Sequence, residues 1–351
     1  MIRVLVVDDS ATTRALLVSV LRSDPELVIV GEARDGLEAV ALTQKLRPDV
    51  ITMDLHMPKM DGFAATKEIM ITAPTPIVIA TGSTLAGEVA TAMNALRAGA
   101  LAVLRKPPAP GAPGHEEAVQ KLISTVKSMA RVKVVRHWRS TSGAAAVDLA
   151  PTGDLAVRAT QAERPRVVAI ATSTGGPAAL QDLLSGLPGD FPAPILVVQH
   201  ITKGFTNGLA AWLNTLCNLQ VKIAEHGEPL APHTVYIAPD DRHLGVSRPS
   251  AVLLSAEAPI GGFRPSGTFL FASAGRVFGK SALAVILTGM GDDGVVGLRT
   301  VQQAGGRILA QDEQSSVVFG MPGAAVAAGL VDQVLPLAKI AGRLVQLVRS
   351  P

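Results

Sequence analysis

The chain has 351 residues, enough for two domains of ordinary size, and 32 Lys and Arg against 29 Asp and Glu leave a formal net charge of only +3. That balance, with no long basic stripe carrying interleaved aromatics, argues against a nucleic-acid partner. The one cysteine, Cys217, excludes an internal disulfide and fits a reducing, cytoplasmic compartment. No apolar run approaches the ~18 residues of a membrane helix and the N-terminus lacks the features of a signal peptide, so the chain is expected to be soluble and not membrane-embedded.

Short β-branched or apolar runs at residues 2–7, 27–30, 50–53, 76–80 and 101–104 predict strands, and the segments 12–22, 36–46, 62–70 and 88–98 between them have helical spacing. Near-continuous apolar strands alternating with amphipathic helices predict a parallel sheet covered on both faces. The result is a doubly wound (βα)5 α/β unit with a last helix near 116–129. Pro107, Pro108, Pro110 and Pro113, with Gly111 and Gly114, interrupt the chain just before that helix. A basic stretch at 127–139 passes into residues 140–164, rich in Ala, Ser, Thr and Gly without a clear period. Residues 130–163 therefore read as a linker between units at 1–129 and 164–351. The second unit repeats the alternation, with strands expected at 166–171, 195–198, 235–238, 282–287 and 307–310. Helices are expected at 176–185, 205–216, 268–278, 293–304 and 322–328, again a parallel-sheet α/β domain.

In open parallel sheets, chemistry collects where loops leave the carboxyl ends of the strands. Asp8 and Asp9 follow the first predicted strand, Asp54 the third, Thr81 the fourth and Lys106 the fifth. Asp8, Asp9 and Asp54 together can hold a Mg2+ ion, and the Asp54 carboxylate can attack a phosphoryl group to form an aspartyl phosphate. Lys106 would act as a point charge on the phosphoryl oxygens, and Thr81 could turn its hydroxyl toward them. Taken singly, each residue has a plain structural explanation, Asp8 and Asp9 as helix caps and Asp54 as a surface charge. Five polar groups at successive strand ends do not. On these positions, residues 1 to about 129 resemble a response-regulator receiver domain.

In the second half, Thr172-Ser173-Thr174-Gly175-Gly176-Pro177 follows a strand and opens a helix. A serine on such a turn exposes its hydroxyl, and free backbone N–H groups at the helix start can hold a developing oxyanion. The turn is not a Gly-x-Ser-x-Gly elbow, because Ala171 stands two before the serine, and by itself it equally suits a phosphate cradle. His200 ends the next strand, and a later strand runs into Thr288-Gly289-Met290-Gly291-Asp292-Asp293-Gly294. An imidazole there could deprotonate Ser173, with an aspartate fixing its tautomer. Spacing alone does not separate Asp293 from Asp292. The other six histidines fall in loops, the linker or helix starts, where solvated roles are expected.

With Val198-Gln199-His200, Gly204-Phe205, Tyr236-Ile237-Ala238-Pro239, Arg264-Pro265-Ser266 and the turns already quoted, residues 164–351 resemble the catalytic domain of chemotaxis-type protein-glutamate methylesterases, the CheB family. Receiver, linker and this domain match the family's whole architecture. The resemblance implies Ser173 as nucleophile, His200 as base and Asp293 as the orienting carboxylate. It also implies Thr174, Gly175 and Met290 at the oxyanion or substrate position, and no cofactor for the esterase. The implied reaction is hydrolysis of glutamate γ-methyl esters on the cytoplasmic part of chemoreceptors, with deamidation of glutamines, under a chemotaxis-type histidine kinase as phosphodonor. Three features depart from the pattern: Thr81-Gly82-Ser83 replaces a serine pair, the linker is Ala- and Gly-rich, and the Pro-rich insert follows Lys106. A non-enzymatic phospho-switch would be favoured by loss of Ser173, His200 or Asp293, and all three are present. A transcriptional regulator would need a compact helix-turn-helix output, and the second half is a long α/β unit.

Overall fold

The computed structural model describes residues 1–82, 86–132, 134 and 164–349. Ser83, most of the basic stretch and nearly all of the expected linker lie outside the described residues. The N-terminal half is built from β1 (Ile2–Val7), α1 (Ala11–Arg22), β2 (Leu27–Ala33), α2 (Gly36–Leu46), β3 (Val50–Met53), α3 (Gly62–Thr72), β4 (Ile77–Thr81), α4 (Ala86–Arg97), β5 (Ala102–Arg105) and α5 (His115–Met129). Its five strands pair in the order β2-β1-β3-β4-β5, all parallel, so the chain reverses its direction of growth between β1 and β3. A crevice opens at the carboxyl ends of those two strands. Side chains of its helix starts satisfy orphan backbone donors: Ser10 accepts from the Thr13 amide, Asp35 from Glu38 and Asp61 from Ala64. The cap of α1 is thus Ser10, which leaves Asp8 and Asp9 for other work.

The C-terminal half comprises β6 (Val167–Thr172), α6 (Gly176–Ser185), β7 (Ile195–Gln199), α7 (Thr206–Leu216), β8 (Gln220–Ile223), β9 (Thr234–Ile237), β10 (His243–Ser247), β11 (Ala251–Ser255), α8 (Gly267–Phe278), β12 (Ala282–Ile286), α9 (Val295–Gln303), β13 (Arg307–Gln311), α10 (Met321–Ala327), β14 (Gln333–Leu335) and α11 (Leu337–Arg349). Seven strands form one parallel sheet in the order β14-β13-β12-β6-β7-β9-β8. Growth reverses at β6, so the carboxyl ends of β6, β7 and β12 lie side by side. The five expected strands are present. The edge strands β8 and β14, the antiparallel pair β10 and β11, and α11 were not anticipated. β8 alternates polar and apolar residues and β14 has three, so neither makes the continuous apolar run that marks a buried strand.

β6, β7 and β12 are buried along their whole length, as a parallel sheet covered on both faces requires. Each fully buried Val, Leu or Ile there contributes on the order of 1.5–3 kcal/mol of transfer free energy. The apolar core is continuous between the halves: Ala92, Met93 and Leu96 of α4 share one cluster with Leu180, Leu209 and Leu213, and α4 packs against α6 and α7. Val317, from the loop before α10, packs against the cluster formed by α1, α5 and the first sheet.

Candidate functional site

Two sites form, one at each sheet's reversal point. In the first, Asp8 and Asp54 are buried at the ends of β1 and β3. Asp8 Oδ1 accepts from the Ser10 amide at 3.0 Å and Asp54 Oδ1 from the Leu55 amide at 2.8 Å. Lys106 Nζ lies 2.8 Å from Asp8 Oδ2 and 3.0 Å from Asp54 Oδ2. The Lys106 amide donates to Thr81 O at 2.9 Å, which seats the lysine beside the end of β4, where Thr81 is buried. Gly62 approaches so closely that a Cβ there would sit 1.9 Å from Asp54 O, so a glycine is required to close the turn under the carboxylate. Burial pushes the Asp54 carboxyl above its ordinary value, against the opposing effect of Lys106. Burial would lower the Lys106 ammonium, but its pairing with Asp8 and Asp54 outweighs this and raises it. Carboxylate oxygens of buried Asp8 and Asp54 and of exposed Asp9 form a hard-donor set: one from each of the three aspartates lies within 4.8 Å of the others, a donor chemistry that fits Mg2+.

In the second site, Ser173 follows β6 and is half-buried. Its amide donates to Thr288 O at 3.0 Å, tying the turn to the end of β12. Its carbonyl accepts from the Gly176 amide and from Gln199 Nε2, at 2.9 and 2.8 Å. Gly175 caps α6 at φ +79, and a Cβ there would meet Val317 at 2.6 Å. Among the described residues the amides of Thr174, Gly175 and Met290 donate to no protein group, which leaves three N–H donors around the serine turn. Met290 is 46 % exposed at the rim.

His200 leaves β7 with its amide on Thr172 O at 2.9 Å and its carbonyl held by Gln199 Nε2 at 2.8 Å. Its Nε2 lies 2.9 Å from Asp293 Oδ2, close enough for an ion pair although its alignment falls short of a hydrogen bond. Nδ1 has no hydrogen-bond partner among the described residues. Asp293 lies just before α9, which starts at Val295 rather than at 293 as expected, and is fixed from the far side by α8. Ser266 Oγ donates to its Oδ1 at 2.7 Å, the Gly267 amide to Oδ2 at 2.6 Å and the Thr268 amide to Oδ1 at 3.1 Å. Burial alone would raise this carboxyl, but the His200 ring and the bonds from Ser266 and Gly267 prevail and hold it at about 2. Asp292 is exposed and Asp293 buried, so the two adjacent aspartates stand in opposite environments.

Ser173, Thr174, His200 and Met290 line one cavity of about 420 Å³, whose opposite wall is Leu101–Leu104, Lys121 and Met129 of the N-terminal half. Thr202, two residues past His200, donates to Val103 O of β5 at 2.7 Å. Three contributors had no role in the sequence reading. Gln199 bridges the serine and histidine turns; its signal in the chain was a polar residue ending an apolar run just before His200. Thr268 Oγ1 accepts from the Gly294 amide at 2.9 Å and steadies the Asp293 loop. Phe263 stacks on the His200 ring, with centroids 4.1 Å apart and planes 5° from parallel.

Known proteins match over both halves. The response regulator receiver domain family model matches residues 4–112, and the CheB methylesterase model matches residues 168–344. The chain is 54% identical over 350 residues to protein-glutamate methylesterase/protein-glutamine glutaminase 4 of Myxococcus xanthus, covering 99% of this chain and 98% of that one. It is 51% identical over 350 residues to the third such protein of Anaeromyxobacter dehalogenans, covering 99% and 100%. The crystal structure of the Thermotoga maritima CheB methylesterase catalytic domain superposes with a TM-score of 0.51 at 43% identity, over 52% of this chain and 99% of that one. Matched along both halves and nearly end to end, this chain belongs to the CheB family of protein-glutamate methylesterase/protein-glutamine glutaminases.

Proposed function

We propose that the protein hydrolyses γ-methyl esters of glutamate side chains, and deamidates glutamines, on the cytoplasmic part of chemoreceptors, under control of phosphorylation at Asp54. The observation that carries this reading is the pairing of His200 with buried Asp293 at 2.9 Å in the same cavity as Ser173. Ser173 Oγ attacks the ester carbonyl and passes its proton to His200. With Nε2 turned to Asp293, Nδ1 is the nitrogen left for that proton. Asp293 stays ionised and stabilises the imidazolium, and the Thr174, Gly175 and Met290 amides receive the oxyanion. His200 then protonates the departing methoxide, methanol leaves, and water attacks the acyl-enzyme to release the glutamate carboxylate. On a glutamine, ammonia leaves instead.

At the other site Asp54 is the phosphoacceptor, and a chemotaxis-type histidine kinase is the donor. Asp8, Asp9 and Asp54 would hold Mg2+, which when bound offsets charge on the phosphoryl oxygens. Lys106 gives up its pairing with Asp54 to meet the phosphoryl group, and Thr81 reorients toward it. Residues 1–129 form the regulatory unit, 130–163 the linker and 164–351 the esterase. A cytoplasmic location agrees with the single cysteine and with the described residues, none of whose helices is long and apolar enough to cross a membrane.

The cavity wall at Leu101–Leu104 supports control by obstruction: a bulky helical substrate cannot reach Ser173 while β5 and α5 stand opposite. Methanol release from a methylated receptor fragment, with and without a small-molecule phosphodonor, tests the reading. Residues 164–351 alone should turn over faster than the unphosphorylated intact chain, and Asp54→Asn should remove the response to the phosphodonor while leaving the basal rate. A folded 164–351 fragment no faster than the intact chain would exclude obstruction, and the regulatory half would then act by positioning or recruitment.

A further inference from the structure

One stretch of chain meets His200 from two directions. Residues 256–268 carry Ser266, Gly267 and Thr268, which hold Asp293 at the edge of the imidazole, and also Phe263, which covers its face. Phe263 is presented by a tight hairpin: Ile260 and Phe263 exchange both backbone hydrogen bonds at 3.0 Å across Gly261 and Gly262, whose φ values are +59 and +85. Two successive positive φ angles are the requirement of a type I′ turn, so this pair of glycines sets the height of the phenyl ring. On the other side, Arg264 Nη1 donates to Ala256 O and Glu257 O at 3.2 Å each, which closes the loop behind the ring. Phe263 belongs to none of the apolar core clusters; it is half-buried and lines the cavity beside Ser173. A residue that only filled volume would have no need of a near-parallel ring at 4.1 Å from a histidine.

We propose that Phe263 is a positioning residue for the esterase reaction: its stacked ring fixes the plane of His200 and stabilises the imidazolium that forms when His200 takes the Ser173 proton. This rests on the reading of His200 as the base. A cation held over an aromatic face within about 6 Å of the centroid is attracted by the negative face of the ring, more strongly where water is excluded. The stack therefore acts on the charged form of the imidazole, which exists only once the proton has moved, and contributes little to the neutral ground state. The other charged groups around the ring are Asp293 at its edge, and Arg264 and Lys121 on the cavity wall. Arg264, whose Nη1 donates to two carbonyls, and Lys121 remain cations and oppose a charge on the ring, so Asp293 and the Phe263 face are the two of these groups that favour the charge on His200.

The test is a proton NMR titration of the His200 ring in the full-length protein, its C2–H signal assigned by disappearance in His200→Gln. Phe263→Leu keeps an apolar side chain and removes the π face, whereas Phe263→Tyr keeps both. In Phe263→Leu the His200 midpoint should fall by about half a pH unit, and the acid limb of kcat/KM should move with it. Its kcat should drop roughly 2–5-fold with KM little changed, because the lost interaction exists only after proton transfer. Phe263→Tyr should restore the midpoint, the limb and the rate. An unchanged or raised midpoint in Phe263→Leu, or a tyrosine variant indistinguishable from the leucine one, overturns the proposal. Full activity in His200→Gln would instead remove the base assignment on which the catalytic part rests, and the ring titration tells the two failures apart.

Discussion

Ser173→Ala is expected to lower methanol release from a methylated receptor fragment by roughly 10⁴–10⁶-fold, with His200→Ala close behind, because nucleophile and base act as a unit and neither works alone. The fold should survive. Ser173 is held by its backbone, through its amide on Thr288 O and its carbonyl on Gln199 and Gly176, and no hydrogen bond of its hydroxyl to another described residue supports the turn. Thermal unfolding within a degree or two of the parent, with activity lost, is the expected pair of results. Wild-type turnover in the alanine variant would mean that the nucleophile lies elsewhere.

Asp293→Asn should cut kcat by about 10²–10⁴-fold, by analogy with other triads, while Asp292→Asn should change it less than about threefold. The two residues are adjacent in the chain and opposite in environment. Asp293 is buried against His200 and accepts three hydrogen bonds from the start of α8, whereas Asp292 is exposed. Asp293 also carries stability. Its carboxyl is held well below its ordinary value, at about 2, by the His200 ring and the bonds from Ser266 and Gly267, which prevail over burial. A depressed carboxylate stabilises the folded chain above its unfolded value and the contribution is lost as pH falls from near 4 to about 2; the part due to His200 acts only while that ring is protonated, so at pH 7 the contribution is the smaller one from the Ser266 and Gly267 bonds. Asp293→Asn should therefore also lower the unfolding midpoint at neutral pH, with the gap to the parent closing in acid. Comparing kcat in the variant at a temperature well below its midpoint separates chemistry from unfolding. A reversed ranking of the two asparagine variants would move the orienting role to Asp292.

Much of the placement of the candidate site residues was legible because a parallel α/β sheet makes chemistry local. A residue just past an apolar run lands at the carboxyl edge, so Asp8, Asp54 and Lys106 could be placed on one edge, and Ser173 and His200 on another, from strand spacing alone. Most of the unanticipated elements lack that signal. The β10–β11 hairpin pairs antiparallel outside the main sheet, and the edge strands β8 and β14 are short and partly polar. The last helix is a different case: Ile340, Ala341, Leu344, Leu347 and Val348 form a regular buried stripe whose period was readable in the chain.

What the sequence by itself determined was residue type and position at strand ends, because those depend on a few neighbouring residues and on the rule that loops gather at one edge of the sheet. What only the tertiary structure decided was which groups meet. The burial of Asp293, and not Asp292, against His200 involves amides of α8 some 26 residues away in the chain. The stack of Phe263 on His200, the bridge from Gln199 to Ser173 and the wall that β5 places across the cavity likewise join segments far apart in the chain. Such contacts are fixed by how whole layers pack, and no local pattern of residues encodes them.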